Sequence, residues 1–418
     1  MQPRKFYVKP IKQEIIDWFL NRALNNYDYL KDLPEEEIDQ RIAALDPVPR
    51  FKLPLFKEQK IMFLIGAIET NYTYWSGIGT GKTALSLELI NYRYQKDKPS
   101  LVFALDEQNI SNWLVECHKF VPHLKVLPIL GTKDKRQKLI QQPADIYILS
   151  YSSIRSLFST GKSALIAPIN VVNFAKRFKT IIYDEIVEAK CTQSVTFQVC
   201  KLLSQNIPYR YGLTGRPFGR QSLDLWSQFF LIDLGESLGK HQEIFKQTFF
   251  RPKITPFTII WTPNDARKDD FARIAKNKAI YFPEVALPPP IRVPISIDMS
   301  DEAKVYYRKL RGDLIADFKV DTWHRNIKNP FVKFRQICSG FLNVKDTEID
   351  PDTGKEIVLG TTELVFANAK EHILKKIVSL LPIDRKMIIF YEFTPSGKRI
   401  NKVLDELRVR HVWLWGQA

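Results

Sequence analysis

Residues 72–90 read YTYWSGIGTGKTALSLELI. A β-rich aromatic run enters SGIGTGKT and a helix-forming stretch leaves it, which is the context a phosphate-binding loop requires. Gly77, Gly79 and Gly81 let the backbone curl so that successive N–H groups turn toward one anion. The following helix aims its positive end at the same place. Lys82 is then placed to reach the β and γ phosphates of a nucleotide, and the Thr83 hydroxyl to ligate Mg²⁺. Ser76 stands where such loops usually carry their first glycine, and it is small enough to fit. A plain glycine-rich turn would account for the glycines but not for Lys-Thr between strand and helix. The expected cofactors are therefore ATP and Mg²⁺. Ser76, Gly77, Gly79, Gly81, Lys82, Thr83 and Ala84 are the candidate nucleotide contacts.

Three further stretches could complete such a site. FKTIIYDEIVEAK, residues 178–190, runs an apolar strand into Asp184 and Glu185. Strands end in polar residues everywhere, so alone the pair means little. Downstream of a phosphate loop it acquires a purpose: Asp184 to hold the metal, mostly through water, and Glu185 to orient or deprotonate the attacking water. RYGLTGRPFG, residues 210–219, puts Thr214 at a strand end, where a hydroxyl can link nucleotide state to movement. In LPLFKEQK the Gln59 amide offers both a donor and an acceptor, which suits an adenine edge. The candidate catalytic set is Lys82, Thr83, Asp184, Glu185 and Thr214, with Thr83 and Asp184 as metal ligands.

The elements that must position these residues follow from pattern. Short apolar runs alternate with amphipathic stretches, so the sequence predicts an α/β fold with a parallel sheet covered on both faces. Expected strands are 73–75, 100–104, 126–128, 146–149, 180–183 and 209–213. Residues 1–50 read as a charged helical accessory segment. Residues 51–285 form the ATP-binding lobe, and Pro-rich 286–300 a connector. Residues 301–418 form a second lobe with a helical region, a hairpin over 346–366, a strand KMIIFYEF, a helix over about 396–408 and a strand HVWLWG.

A net charge of +16 and a pI near 9.4 favour a polyanionic partner, most often nucleic acid. The four cysteines form no CxxC pair and the six histidines show no zinc spacing. No apolar stretch approaches the length of a membrane span, so a cytoplasmic protein with no membrane partner is expected.

In this order the motifs resemble the superfamily 2 helicases, most nearly the Snf-type double-strand DNA translocases. LFKEQ resembles that family's Q-containing entry motif, SGIGTGKT motif I, LVFALDEQNISNWLVE motif Ia, ILSYSSIR motif Ib, YDEIVEAK motif II and LTGRP motif III. VALPPPIRVPISIDMSDEAKVYYRKL, FRQICSGFL and KMIIFYEF resemble the connector and the opening of lobe 2. The resemblance covers roughly residues 51–418 and implies two RecA-like lobes closing on ATP, with double-stranded DNA crossing both. It also implies that Ser111, Asn112, Trp113, Ser150 and Tyr151 touch the DNA backbone. Three positions depart from the pattern. Val187 replaces the motif II His, Arg216 stands at a usually small position, and motifs V and VI would follow HVWLWGQA. The second lobe is therefore expected to be incomplete, finished by further chain or by a second polypeptide, in a phage or bacterial translocase. An ATP-regulated DNA clamp with little hydrolysis is the alternative. A P-loop enzyme acting on a small molecule is a more distant one.

Overall fold

Short runs such as SLVFA (100–104) and IYILS (146–150) carry no polar stripe, as strands buried on both faces require. The computed structural model describes residues 8–158, 167–217, 222–255, 258–285, 288–319, 330–349, 356–382 and 384–413. The chain divides into two compact units, Met1–Pro288 and Pro289–Ala418.

In the first unit the six expected strands form: β1 (Asn71–Ser76), β2 (Ser100–Ala104), β3 (Val126–Pro128), β4 (Ile146–Ser150), β5 (Thr180–Asp184) and β6 (Tyr209–Thr214). Two strands that the sequence pattern did not announce, β7 (Phe250–Ile254) and β8 (Ile259–Pro263), make an antiparallel hairpin. A third, β9 (Ala279–Phe282), pairs parallel with β1. The main sheet has the order β3-β4-β2-β5-β6-β1-β9, and every pairing in it is parallel.

Alternation sorts the side chains into two cores. Leu101 and Phe103 of β2, and Ile181 and Tyr183 of β5, enter one; Val102 and Ala104, and Ile182, enter the other. The helices Lys57–Ile68, Lys82–Tyr92 and Glu107–Phe120 close the second core. Pro168–Ala175, Val195–Asn206 and Leu225–Asp233 close the first. Each fully buried Leu, Ile or Phe there stabilises the unit by about 1.5–3 kcal/mol.

The described part of residues 1–50 belongs to this body. Phe19 and Leu20 join the first core, whereas Leu30, Ile38 and Ile42 join the second. The chain passes between the two faces beside the start of β9. There the Asn25 N–H donates to Asn277 Oδ1 at 2.9 Å. Tyr27 Oη donates to Glu69 Oε1 at 2.7 Å, and Lys278 Nζ to Glu69 Oε2 at 2.8 Å. Burial opposes the charge of Glu69, but Lys278 and Tyr27 outweigh it and hold its carboxyl below the ordinary range.

The second unit holds the helices Asp301–Lys319 and Pro330–Cys338 and an antiparallel hairpin of β10 (Phe341–Ile349) and β11 (Glu356–Val365). The helices Ala369–Ser379 and Thr394–Glu406 follow. Its small core gathers Ala303, Ile337, Leu342 and Phe366. The parallel sheet expected here is not found among the described residues. KMIIFYEF makes no ladder, and Ile388 and Phe390 are exposed. A strand exists only through hydrogen bonds to a neighbour. The expected neighbour, HVWLWG, lies partly outside the described residues; in its described part Trp413 Nε1 donates to Tyr391 Oη. Among the described residues no helix is long and apolar enough to cross a membrane.

Lys278→Met leaves the half-buried Glu69 carboxylate without its cation and should destabilise the first unit by about 1–3 kcal/mol in thermal or urea melts. The pH dependence should also change sign. In the parent, Glu69 is lowered on folding, so its stabilisation is full above the ordinary glutamate range and is lost as pH falls through the native value. In Lys278→Met the unpaired carboxylate is raised instead, and stability should recover as pH falls.

Candidate nucleotide site

Strands β5, β6 and β1 are consecutive neighbours, and their parallel pairing puts their carboxyl ends on one edge. Trp75 lies opposite Thr214, and Asp184 opposite Leu213. Strands about 4.8 Å apart thus place the end of β5 about 10 Å from the end of β1. Ligands in open α/β sheets occupy this edge.

The loop after β1 has the backbone its glycines predict. Gly79 (φ 83°) and Gly81 (φ 76°) are left-handed, where a side chain is strained. Gly77 is needed for space: a Cβ there would lie 2.4 Å from Glu284 Cα and 2.5 Å from its N. Thr80 Oγ1 donates to Gly77 O at 2.8 Å and pairs with Ser76 Oγ, cross-bracing the loop. Lys82 opens the helix Lys82–Tyr92, and its ammonium rests on Ser76 O at 2.7 Å and Gly77 O at 3.0 Å. Thr83 follows at the helix start and Ala84 is buried behind it. A Cβ on Gly215, just past β6, would sit 3.9 Å from Lys82 Nζ, so the two strand ends meet at this cation.

Gln59, expected at an adenine edge, has its amide engaged within the protein. Its Oε1 accepts from the Phe56 N–H at 2.9 Å, and its Nε2 donates to Thr80 O at 3.2 Å. It is buried against the loop, where a Cβ on Gly81 would collide with it at 1.9 Å.

The two carboxylates differ in setting. Asp184 ends β5, and its Oδ2 accepts from Trp113 Nε1 at 2.9 Å. Burial pushes its carboxyl up to about 6; the indole hydrogen bond pulls it down, the Glu185 charge raises it and Lys82 lowers it. Glu185 is left-handed, φ 49° and ψ 56°, a conformation costing a residue with a Cβ roughly 1–3 kcal/mol. Its carboxylate accepts from the Thr214 hydroxyl at 3.0 Å, and Thr214 Oγ1 also accepts from the Arg216 N–H at 3.1 Å. Strained backbone on a charged residue, held by a neighbouring strand, marks a constraint beyond folding.

The donor set suits a hard divalent cation. Mg²⁺ takes oxygen ligands, keeps several waters and uses one or two carboxylates beside substrate phosphates. Asp184 and the Thr83 hydroxyl supply such oxygens, and a half-buried aspartate with its charge disfavoured is stabilised by an incoming cation.

The five residues expected at DNA divide. Ser111 and Asn112 are exposed on the helix Glu107–Phe120. The side chains of Trp113, Ser150 and Tyr151 are buried, which leaves their backbone groups as what they could offer a phosphate. Ser150 pairs with Ser152 at 2.9 Å, and the Tyr151 ring stacks on Phe103 at 5.3 Å. Trp113 faces the carboxylate edge instead. The signal was present: Ile110, Trp113 and Cys117 fall on one helical face, and a buried indole N–H needs an acceptor. Val187, in the place of the expected His, sits in the single turn Ile186–Ala189.

The model of the SNF2-related domain matches residues 76–345. A protein named as an ATP-dependent helicase in Mycoplasma genitalium is 26% identical over 355 residues, 80% of this chain and 29% of its own length. Protein p41 of the Acyrthosiphon pisum secondary endosymbiont phage 1 is 22% identical over 342 residues, 75% of this chain and 71% of its own. An ISWI chromatin-remodeling complex ATPase of Arabidopsis thaliana is 22% identical over 350 residues, 81% of this chain and 30% of its own. The chain thus spans less than a third of the Mycoplasma and plant relatives. With well over half of its residues matched by one family model, the chain belongs to the SNF2-related domain family.

Proposed function

We propose that this protein is an ATPase that binds Mg²⁺-ATP on the loop 76–83 and uses hydrolysis to move along double-stranded DNA. The observation that carries the reading is the meeting of Lys82, Asp184, Glu185 and Thr214 at one sheet edge. Relatives named as an ATP-dependent helicase and as chromatin-remodeling ATPases support it, as does the net charge of +16.

Each residue then has a physical task. The Lys82 ammonium rests on neutral carbonyls, and phosphate oxygens, being charged, are the better acceptors. It exchanges one set for the other without a long movement. The N–H groups of residues 77–83 complete the cradle. Asp184 and Thr83 hold the cation, and bound Mg²⁺ offsets the charge developing on the phosphates. Glu185 orients the attacking water. Because Thr214 holds Glu185, a change at the end of β6 reaches the water through one hydrogen bond. Gln59 contributes by fixing the Thr80 carbonyl and hence the loop. On DNA, Ser111 and Asn112 supply contacts to the backbone, which position a duplex without reading its sequence.

ATP hydrolysis measured with and without duplex DNA at low salt tests the reading; a rate that duplex leaves unmoved would count against it. Lys82→Ala should abolish nucleotide binding. Glu185→Gln should keep binding and lower the hydrolysis rate by about 10²–10⁴-fold. A clamp that works without hydrolysis would instead hold DNA undiminished with Glu185→Gln. DNA affinity should fall steeply with salt, log K declining by about 0.9 per phosphate neutralised for each tenfold rise in concentration.

A further inference from the structure

The bond between Trp113 and Asp184 crosses the first unit. Trp113 belongs to the helix Glu107–Phe120, which follows β2, whereas Asp184 ends β5, seventy-one residues further along the chain. The indole is buried and its N–H donates to Asp184 Oδ2 at 2.9 Å. Little else about the helix requires a tryptophan. Ile110 and Cys117 fill the same face with smaller side chains, and a hydrocarbon ring there would pack without an N–H to satisfy. The one feature a hydrocarbon could not supply is the donor aimed at the carboxylate.

The same helix places Ser111 and Asn112 in solvent, directly before the tryptophan. It is set by the Asp106 cap, whose carboxylate accepts from the Asn109 N–H at 2.8 Å, and by the Arg136–Glu107 pair at 2.8 Å. The group this helix presents to the carboxylate edge is the indole N–H.

We propose that Trp113 is a positioning residue: its indole N–H fixes the rotamer of Asp184 and makes the orientation of that carboxylate depend on the placement of the helix Glu107–Phe120. This deepens the function proposed above and rests on Asp184 serving the bound cation. The partner felt through the helix is duplex DNA at Ser111 and Asn112. Trp113 touches neither nucleotide nor metal.

The test is Trp113→Phe, which keeps an aromatic ring while removing the donor and part of the indole's volume. The readout is Mg²⁺-dependent binding of a fluorescent ATP analogue, taken with and without duplex DNA. A hydrogen bond to a charged group is worth about 1.5–3 kcal/mol, so the half-saturating Mg²⁺ concentration should rise by roughly tenfold or more. Binding at saturating Mg²⁺ should stay close to the parent. Ile110→Val, a core change on the same helix that leaves the indole in place, should not move the Mg²⁺ midpoint. DNA should shift that midpoint in the parent and not in Trp113→Phe. An unmoved midpoint in Trp113→Phe, an equal shift in Ile110→Val, or the same response to DNA in parent and variant would overturn the proposal. A parent that binds the analogue without regard to Mg²⁺ would overturn the function beneath it as well, whereas a Mg²⁺-dependent parent with an unmoved variant would overturn the role of Trp113 alone.

Discussion

The site depends on the parallel pairing of β5, β6 and β1. Parallel strands send all their carboxyl ends to one edge, and the order in the sheet makes these three consecutive. The chemistry-bearing groups come from stretches more than a hundred residues apart, and no local structure brings Lys82 to Thr214 and Glu185. The register does: Thr214 opposite Trp75, Leu213 opposite Asp184. A slip of one residue in β6 would turn the Thr214 hydroxyl to the other face and remove the bond to Glu185.

Given that edge, charge organises the rest. One cation and the start of a helix face two carboxylates, of which Asp184 is half-buried and disfavoured in its charged form. Such a cluster is poorly balanced alone and is brought into balance by a triphosphate and a divalent cation together. Strain points the same way. Glu185 occupies left-handed backbone space, Gly79 and Gly81 occupy it without cost, and Gly77 lets the backbone of Glu284 approach. The entry to the Pro-rich stretch is thus packed against the phosphate loop through β9.

Much of this was legible in the sequence because it is local or periodic. Glycine spacing named the loop, apolar runs named six strands, and a run ending in Asp-Glu named the carboxylates. What escaped is what only tertiary contact decides. β9 is a four-residue strand whose membership depends on β1 lying beside it. Trp113, Ser150 and Tyr151 resembled surface contacts by motif, yet burial is a property of the packed body. The Gln59 amide has a donor and an acceptor that suit an adenine edge, and sequence does not announce that they also engage the Thr80 carbonyl and the Phe56 N–H. KMIIFYEF has strand composition, but composition cannot supply the neighbour that turns a segment into a strand.

The central claim is that the β1–β5–β6 edge is a Mg²⁺-triphosphate site. Its most direct test is a crystal structure with a non-hydrolysable ATP analogue and Mg²⁺. The account predicts the triphosphate in the loop 76–83, Lys82 released from the carbonyls of Ser76 and Gly77 onto phosphate oxygens, and the metal beside Thr83 and Asp184 with Trp113 still on Asp184. A nucleotide bound elsewhere, or Lys82 unmoved on its carbonyls with a nucleotide present, would contradict it.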